Sequence, residues 1–217
     1  MNRTLLLTRP YHDVVTNYLY HWSTPVIKLA EFKKFKLIDL KGAKACKREF
    51  QGRLKKLSPS LVFINGHGSE DFVCGQDNEV LADTSTDRNL FARSVIYARA
   101  CSAAKRFGKY LVEDNASTFI GYDQPFIFLH TIGLTSRPLR DKIAGYFMEP
   151  SNMVVEALIK GHSASEANSR SRKQFMDNIS KLLTSEATAE ETAVVRYLFW
   201  NYRHQVCLGF QSNGLRI

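Results

Sequence analysis

The sequence predicts an α/β fold of three α/β/α layers, with a mostly parallel central sheet and a helical C-terminal part. First, short apolar runs alternate with stretches whose apolar residues recur at helical spacing, as in strand–helix–strand units. Second, the runs Leu61–Asn65 and Val95–Ala98 are almost entirely apolar, which is typical of strands covered on both faces. Third, 217 residues of which 44% are hydrophobic suit a single domain, 1–217, with a substantial core.

The predicted strands are short β-forming segments bounded by turn or helix signals. Strands of the main sheet are expected at Leu5–Thr8, Lys36–Leu40, Leu61–Asn65, Val95–Ala98 and Thr118–Tyr122. A small hairpin outside that sheet is expected over Phe72–Leu81. Two further runs, Phe126–Leu129 and Gln205–Phe210, are candidates for an extra strand and for an edge strand or hairpin.

The predicted helices follow from apolar residues spaced three or four apart. A helix is expected after Pro10, because Val14, Tyr18 and Trp22 share one face, and an amphipathic helix is expected over Ala43–Leu57. Further helical segments are expected at Thr86–Phe91, from about Ser102, and at Pro138–Phe147, Asn152–Ile159, Ser165–Leu183 and Glu190–Tyr202.

The net charge of +9 is concentrated in the segment Lys28–Lys56, which carries eleven Lys/Arg against three acids. This segment is either a solvated helix face with its flanking loop or a docking surface for an acidic protein partner that activates the chain. Nucleic acid is the weaker alternative, since few aromatic residues interleave the basic ones.

No apolar run approaches the roughly 18 to 20 residues that span a bilayer, and the N-terminus lacks a secretory pattern. The four cysteines lie far apart without a C-x-x-C pair, which favours reduced thiols in a cytoplasmic protein. No spacing of His and Cys residues indicates a metal, and no cofactor is expected.

Two neighbouring apolar runs each end in a residue that can carry chemistry. Leu61–Asn65 leads into His67, and Val95–Ala98 leads into Cys101. If both strands release these residues at the same sheet edge, a base lies beside a nucleophile. The expected helix start at Ser102 would favour the thiolate, and the backbone N–H groups of Gly68 and Cys101 could hold an oxyanion.

Other interpretations of these residues remain open. Cys101 alone could be an inert buried thiol, and His67 alone could be a loop residue. The turn Asn65-Gly66-His67-Gly68 lacks the glycine patterns of nucleotide-binding loops, and no nucleophile-elbow motif is present. Glu70 and Asp71 are close enough to orient His67, although solvated loop acids are the simpler interpretation. The other histidines show no shared spacing and are expected to be structural or on the surface: His12, His21, His130, His162 and His204.

A strand ending in His-Gly, followed about thirty residues later by a strand ending in Ala-Cys, resembles the caspase-like fold of clan CD cysteine peptidases. Arg99-Ala100-Cys101-Ser102-Ala103 and Ile120-Gly121-Tyr122 look most similar to bacterial CHAT-type domains. The resemblance covers about Leu5 to Tyr122 and departs from the animal caspase signature at Arg99 and Ser102. It implies that Arg9, Arg99 and Asp123 line the S1 substrate pocket. There Arg99 would face an acidic or amide substrate side chain, or be neutralised by Asp123.

The expected function is therefore that of a cysteine endopeptidase that cleaves a protein substrate through a His67–Cys101 dyad. The resemblance implies regulated proteolysis, such as bacterial antiviral defence or programmed cell death. The alternative is a catalytically inactive caspase-like scaffold that binds a partner.

Overall fold

The structure of the protein is a computed structural model, and it describes residues 3–113 and 117–209. Its centre is a six-stranded sheet made of β1 Thr4–Arg9, β2 Lys36–Lys41, β3 Leu61–Asn65, β6 Val95–Arg99, β7 Thr118–Tyr122 and β8 Gln205–Gly209. The strand order is β2-β1-β3-β6-β7-β8, and every neighbouring pair is parallel except β7 with β8. A separate antiparallel pair is formed by β4 Phe72–Cys74 and β5 Val80–Asp83.

Eight α-helices accompany the strands in the described part of the chain. They are α1 Val14–Trp22, α2 Thr24–Phe32, α3 Lys47–Leu57, α4 Phe107–Val112, α5 Lys142–Ile159, α6 Ala164–Leu182, α7 Ala189–Ala193 and α8 Val195–His204. Within those same residues, none of the helices is both long and apolar enough to cross a bilayer.

The central strands are buried on both faces. Successive side chains of a strand point to opposite sides of the sheet, and both sides are covered. In β3, Phe63 packs into a cluster with residues of α2, α5 and α6, whereas Val62 and Ile64 pack into a second cluster with α3 and α4. Two helical layers therefore cover the sheet, and the predicted three-layer α/β/α fold is confirmed.

Several predicted elements are confirmed with small changes at their ends. The five main-sheet strands, the hairpin and the amphipathic helix α3 are present, and β8 is the antiparallel edge strand. Phe210, the last residue of that predicted strand, lies outside the described residues. The short helical turn near Thr86 is a 3₁₀ helix over Arg88–Phe91.

Other predictions were wrong. Phe126–Leu129 forms no strand, and the N–H and carbonyl of Ile127 pair with the Asn201 side chain of α8. The two helices predicted over 138–159 are a short 3₁₀ turn followed by the single helix α5, which contains Pro150. The helix predicted over 190–202 is divided into α7 and α8, and α2 was not predicted at all.

Candidate active site

The residues that follow β3 and β6 emerge at one edge of the sheet because these strands are parallel neighbours. Their register pairs Asn65 with Arg99, and His67 and Cys101 each follow two positions later. A Cβ placed on Gly68 would lie 3.0 Å from the Ala100 Cβ and 3.2 Å from the Cys101 carbonyl oxygen. The His67 and Cys101 segments are therefore in direct contact beyond the ends of their strands.

The turn that carries His67 is fixed against β4. Gly66 has φ +155°, and a Cβ there would lie 2.1 Å from the Cys74 carbonyl oxygen, so no larger residue fits. The Cys74 N–H donates to the His67 carbonyl at 2.8 Å, and the Ser69 N–H donates to the Phe72 carbonyl at 3.0 Å. This pairing holds the His67 backbone in place beside the end of β6.

The imidazole of His67 is oriented by Asp13, a residue that the sequence analysis did not select. His67 Nε2 lies 2.6 Å from Asp13 Oδ2, in a partly buried hydrogen bond. Asp13 is also the N-cap of α1, where its Oδ1 accepts from the Thr16 N–H at 2.7 Å. Burial acts to raise the pKa of Asp13, but hydrogen bonds from Thr16 and His67 outweigh it and lower the pKa to about 2.

An ionised Asp13 fixes which nitrogen of His67 is available. The carboxylate accepts a hydrogen bond from Nε2–H, so Nδ1 is left as the basic nitrogen of the neutral ring. Nδ1 can then accept a proton from a neighbouring group, and Asp13 stabilises the imidazolium that results.

His12 completes a cluster around Asp13. Its ring centroid lies 5.9 Å from that of His67, and its buried Nε2 lies 3.7 Å from Asp13 Oδ2 without a hydrogen-bond partner. Ligand atoms of His12, Asp13 and His67 lie within 4.8 Å of one another, a grouping that could hold a metal ion. However, the Asp77 N–H donates to His12 Nδ1 at 3.2 Å, which places the proton of the neutral ring on Nε2 and removes its ligating lone pair. The cluster fits two imidazoles sharing one carboxylate better than it fits a metal centre.

Cys101 is largely buried, and its thiol points toward the chain that follows β7. The sulfur lies 3.8 Å from the Phe126 carbonyl oxygen, to which the S–H donates. Burial raises the pKa of the Cys101 thiol. The thiol is therefore protonated at neutral pH in this conformation, and it needs a base to become a nucleophile.

The prediction that a helix begins at about Ser102 was wrong. Residues 101–106 form turns, Ser102 has φ +55°, and α4 begins only at Phe107. The Ser102 N–H donates to the Gln124 carbonyl at 3.1 Å, so it is not available to stabilise an anion. A helix N-terminus therefore does not stabilise a Cys101 thiolate in this structure.

The backbone N–H groups of Gly68 and Cys101 were predicted to form an oxyanion hole. Within 3–113 and 117–209, neither group donates to a backbone acceptor. Their carrier residues are in contact, as the position of a Cβ on Gly68 indicates. The role of these two N–H groups in catalysis stays a prediction.

The thiol contacts residues 124–127, which we call the cover segment, through the Phe126 carbonyl. Two α8 side chains hold this segment down. Trp200 Nε1 donates to the Pro125 carbonyl at 2.9 Å. The buried Asn201 amide pairs with both the N–H and the carbonyl of Ile127, at 3.0 and 2.6 Å.

Arg99 lies in the core. Its side chain is 0% exposed, and it donates to Asn65 Oδ1 at 2.9 Å, to Asn152 Oδ1 at 3.0 Å and to the Leu19 carbonyl at 3.2 Å. Burial lowers the pKa of Arg99 to about 10, which leaves it charged at neutral pH. The Arg99 guanidinium reaches no open pocket in this structure, and its S1 role stays a prediction that requires this packing to open.

Arg9 and Asp123 also have other partners than those expected. Arg9 forms a two-point ion pair with Asp39 and lies over the Tyr20 ring. Asp123 does not neutralise Arg99, because its Oδ1 lies 2.8 Å from His204 Nδ1. Their S1 assignment likewise stays a prediction.

The acids directly after His67 do not orient its ring. Glu70 pairs with Lys105 at 2.5 Å and with Arg106 at 2.9 Å, and Asp71 pairs with Arg106. The simpler interpretation of Glu70 and Asp71, as loop acids, describes them better. The signal for Asp13 lay in its position just after the first strand, but it becomes informative only once β1 is known to neighbour β3.

Comparison of the sequence with models of known protein families gives no match, and a search of curated proteins gives none either.

Proposed function

We propose that the protein is a cysteine endopeptidase in which Cys101 is the nucleophile, His67 the general base and acid, and Asp13 the residue that positions His67. The observation that carries this proposal is the arrangement of His67 and Cys101 at the ends of paired parallel strands, with the His67 ring held by Asp13 at 2.6 Å. An oriented base and a thiol carried by neighbouring strand ends are the components that nucleophilic catalysis requires.

The chemistry follows from these groups. His67 Nδ1 takes the proton of the Cys101 thiol, and the thiolate attacks the scissile carbonyl carbon. The N–H groups of Gly68 and Cys101 donate hydrogen bonds to the oxyanion. His67 then gives its proton to the leaving amine as the carbon–nitrogen bond breaks, and water hydrolyses the thioester by the reverse transfers.

The resemblance to caspase-like and CHAT-type peptidases supports regulated cleavage of a protein substrate in the cytoplasm, for instance in bacterial defence or cell death. The covered thiol also fits an enzyme that must be activated, because the cover segment lies where a substrate would approach Cys101. The activating partner would be an acidic protein docking on Lys28–Lys56, whose lysines are exposed on α2, β2 and α3.

The alternative function, an inactive caspase-like scaffold, is favoured by one observation: the Cys101 thiol is largely buried and its pKa is raised. Such a protein would retain the fold and bind a partner without cleaving it. The two proposals differ in whether Cys101 can react with an electrophile that carries a peptide.

The test is labelling of the native protein with a library of peptide electrophiles, read by mass spectrometry. A peptidase predicts peptide-dependent modification of Cys101 that is abolished in the His67→Ala variant. Cys46→Ala is the matched control, because Cys46 is also a partly exposed free thiol but lies outside the site. Modification independent of His67 and of the peptide, or none at all, would favour the scaffold.

A further inference from the structure

A second cleft lies at the same sheet edge, between α1 and the turn that follows β2. Its volume is about 540 Å³, within the usual range for small-molecule sites. It is lined chiefly by Tyr11, Asn17, Tyr20, His21, Lys41 and Lys44. Neither His67 nor Cys101 contributes to it, so the cleft is distinct from the candidate active site.

The aromatic side of the cleft is a connected set of rings. The Tyr11 and Tyr20 rings meet edge to face at 5.3 Å between centroids, and Tyr20 meets His21 in the same way at 5.2 Å. The Arg9 guanidinium lies 4.2 Å from the Tyr20 centroid and supports that ring from the sheet. Tyr11 is 52% exposed and supported at its edge by Tyr20, so its ring offers a face on which a planar group can stack.

The position of Tyr11 depends on Gly42. This glycine has φ +54°, and a Cβ there would lie 2.7 Å from the Tyr11 ring. A side chain at position 42 would therefore both strain the backbone and displace the tyrosine. The chain thus brings the Tyr11 ring directly against the turn that carries Lys41 and Lys44.

The opposite side of the cleft is cationic. No carboxylate lines it, and Lys41 and Lys44 form no ion pair with any residue of 3–113 or 117–209. Asp39, the acid within β2, is already neutralised by Arg9. Burial and the nearby Arg9 charge lower the pKa of His21, so that its neutral ring adds hydrogen-bonding capacity without charge.

We propose that this cleft binds a mononucleotide, with its phosphate between Lys41 and Lys44 and its base stacked on the Tyr11 ring. Two lysine ammonium groups match a phosphate dianion, and stacking on aromatic rings is the general mode by which proteins hold an unpaired base. The rival occupant is an acidic side chain of a peptide, but the volume is larger than one side chain needs. The proposal does not rest on the peptidase activity.

The experiment is calorimetric titration of the wild-type protein with AMP, GMP, CMP and UMP, and with adenosine and inorganic phosphate as fragments. At least one mononucleotide should bind about tenfold more tightly than either fragment, because only the whole ligand uses both sides of the cleft. In the Lys41→Gln/Lys44→Gln variant the affinity should fall about tenfold or more. Tyr11→Leu should weaken the nucleotide but not phosphate.

The matched control is Lys55→Gln/Lys56→Gln, which removes the same charge from exposed positions of α3 outside the cleft. This variant should bind as the wild type does. The proposal is overturned if no mononucleotide binds at about 1 mM, if the control loses as much affinity as the cleft variant, or if a fragment binds as tightly as its nucleotide. Because no measurement uses Cys101, these failures would leave the proposed function standing.

Discussion

The Asp13→Asn substitution separates the two roles of Asp13, which caps α1 and orients His67. The new amide oxygen can still accept from the Thr16 N–H, so the cap is preserved. The new amide nitrogen, however, takes the place of Oδ2 at 2.6 Å from His67 Nε2 and donates to it. The proton of the neutral ring must then move to Nδ1, the nitrogen that should accept the Cys101 proton.

The expected effect on reactivity is large. Loss of a correctly oriented general base lowers rates by about 10²–10⁴-fold. The assay is the rate of Cys101 alkylation by the peptide electrophile, followed by mass spectrometry.

The expected effect on stability is small and depends on pH. A pKa lowered from 3.8 to about 2 corresponds to about 2.5 kcal/mol if unscreened. Because the Asp13 side chain is 39% exposed, screening reduces this to about 1 kcal/mol. A lowered carboxyl pKa contributes stability above pH 3.8 that is lost as the pH falls toward 2. Asp13→Asn should therefore lower the melting temperature by about 2–4 °C at neutral pH. Near pH 2, where the wild-type carboxyl is also largely protonated, the substitution should hardly change it.

Asp71→Asn is the control for this prediction, because it makes the same chemical change in an acid that pairs with Arg106 and not with His67. It should leave the alkylation rate within about threefold of the wild type. If Asp13→Asn also changes the rate by less than about threefold, the role assigned to Asp13 is wrong.

Three further substitutions test the core, the cover segment and the cleft. Arg99→Met should lower the free energy of unfolding, measured by urea denaturation, by about 3 kcal/mol, because several buried acceptors lose their donor. A decrease of less than about 1 kcal/mol would contradict this. Asn201→Ala should raise the Cys101 alkylation rate about tenfold by releasing Ile127, and an unchanged rate would show that the cover segment does not limit access. Gly42→Ala should cost about 1–2 kcal/mol, seen as a lower melting temperature, because φ is +54° and the new methyl meets Tyr11; an unaltered melting temperature would refute the strain.

The sequence predicted much of the sheet because its strands are continuous apolar runs with both faces covered. Leu61–Asn65 and Val95–Ala98 are clear for this reason, and so are the positions of His67 and Cys101 after them. Helix boundaries were predicted less well where local signals conflict. Two helices were predicted over 138–159, yet α5 continues through Pro150 because its buried face packs on the sheet and on α6. Ser102 suggested a helix start, but its N–H group is used by Gln124.

What the sequence alone determined is the α/β fold class, the small hairpin and the two candidate catalytic residues, since each depends on a local pattern within a few residues. The tertiary structure decided which groups meet across the chain. It brought Asp13 into contact with His67, although the two residues are 54 positions apart in the sequence. It also buried Arg99 among neutral acceptors and placed the Phe126 carbonyl against the Cys101 thiol. These contacts depend on the order of strands in the sheet and on the packing of α1, α5 and α8, and no periodicity along the sequence records that arrangement.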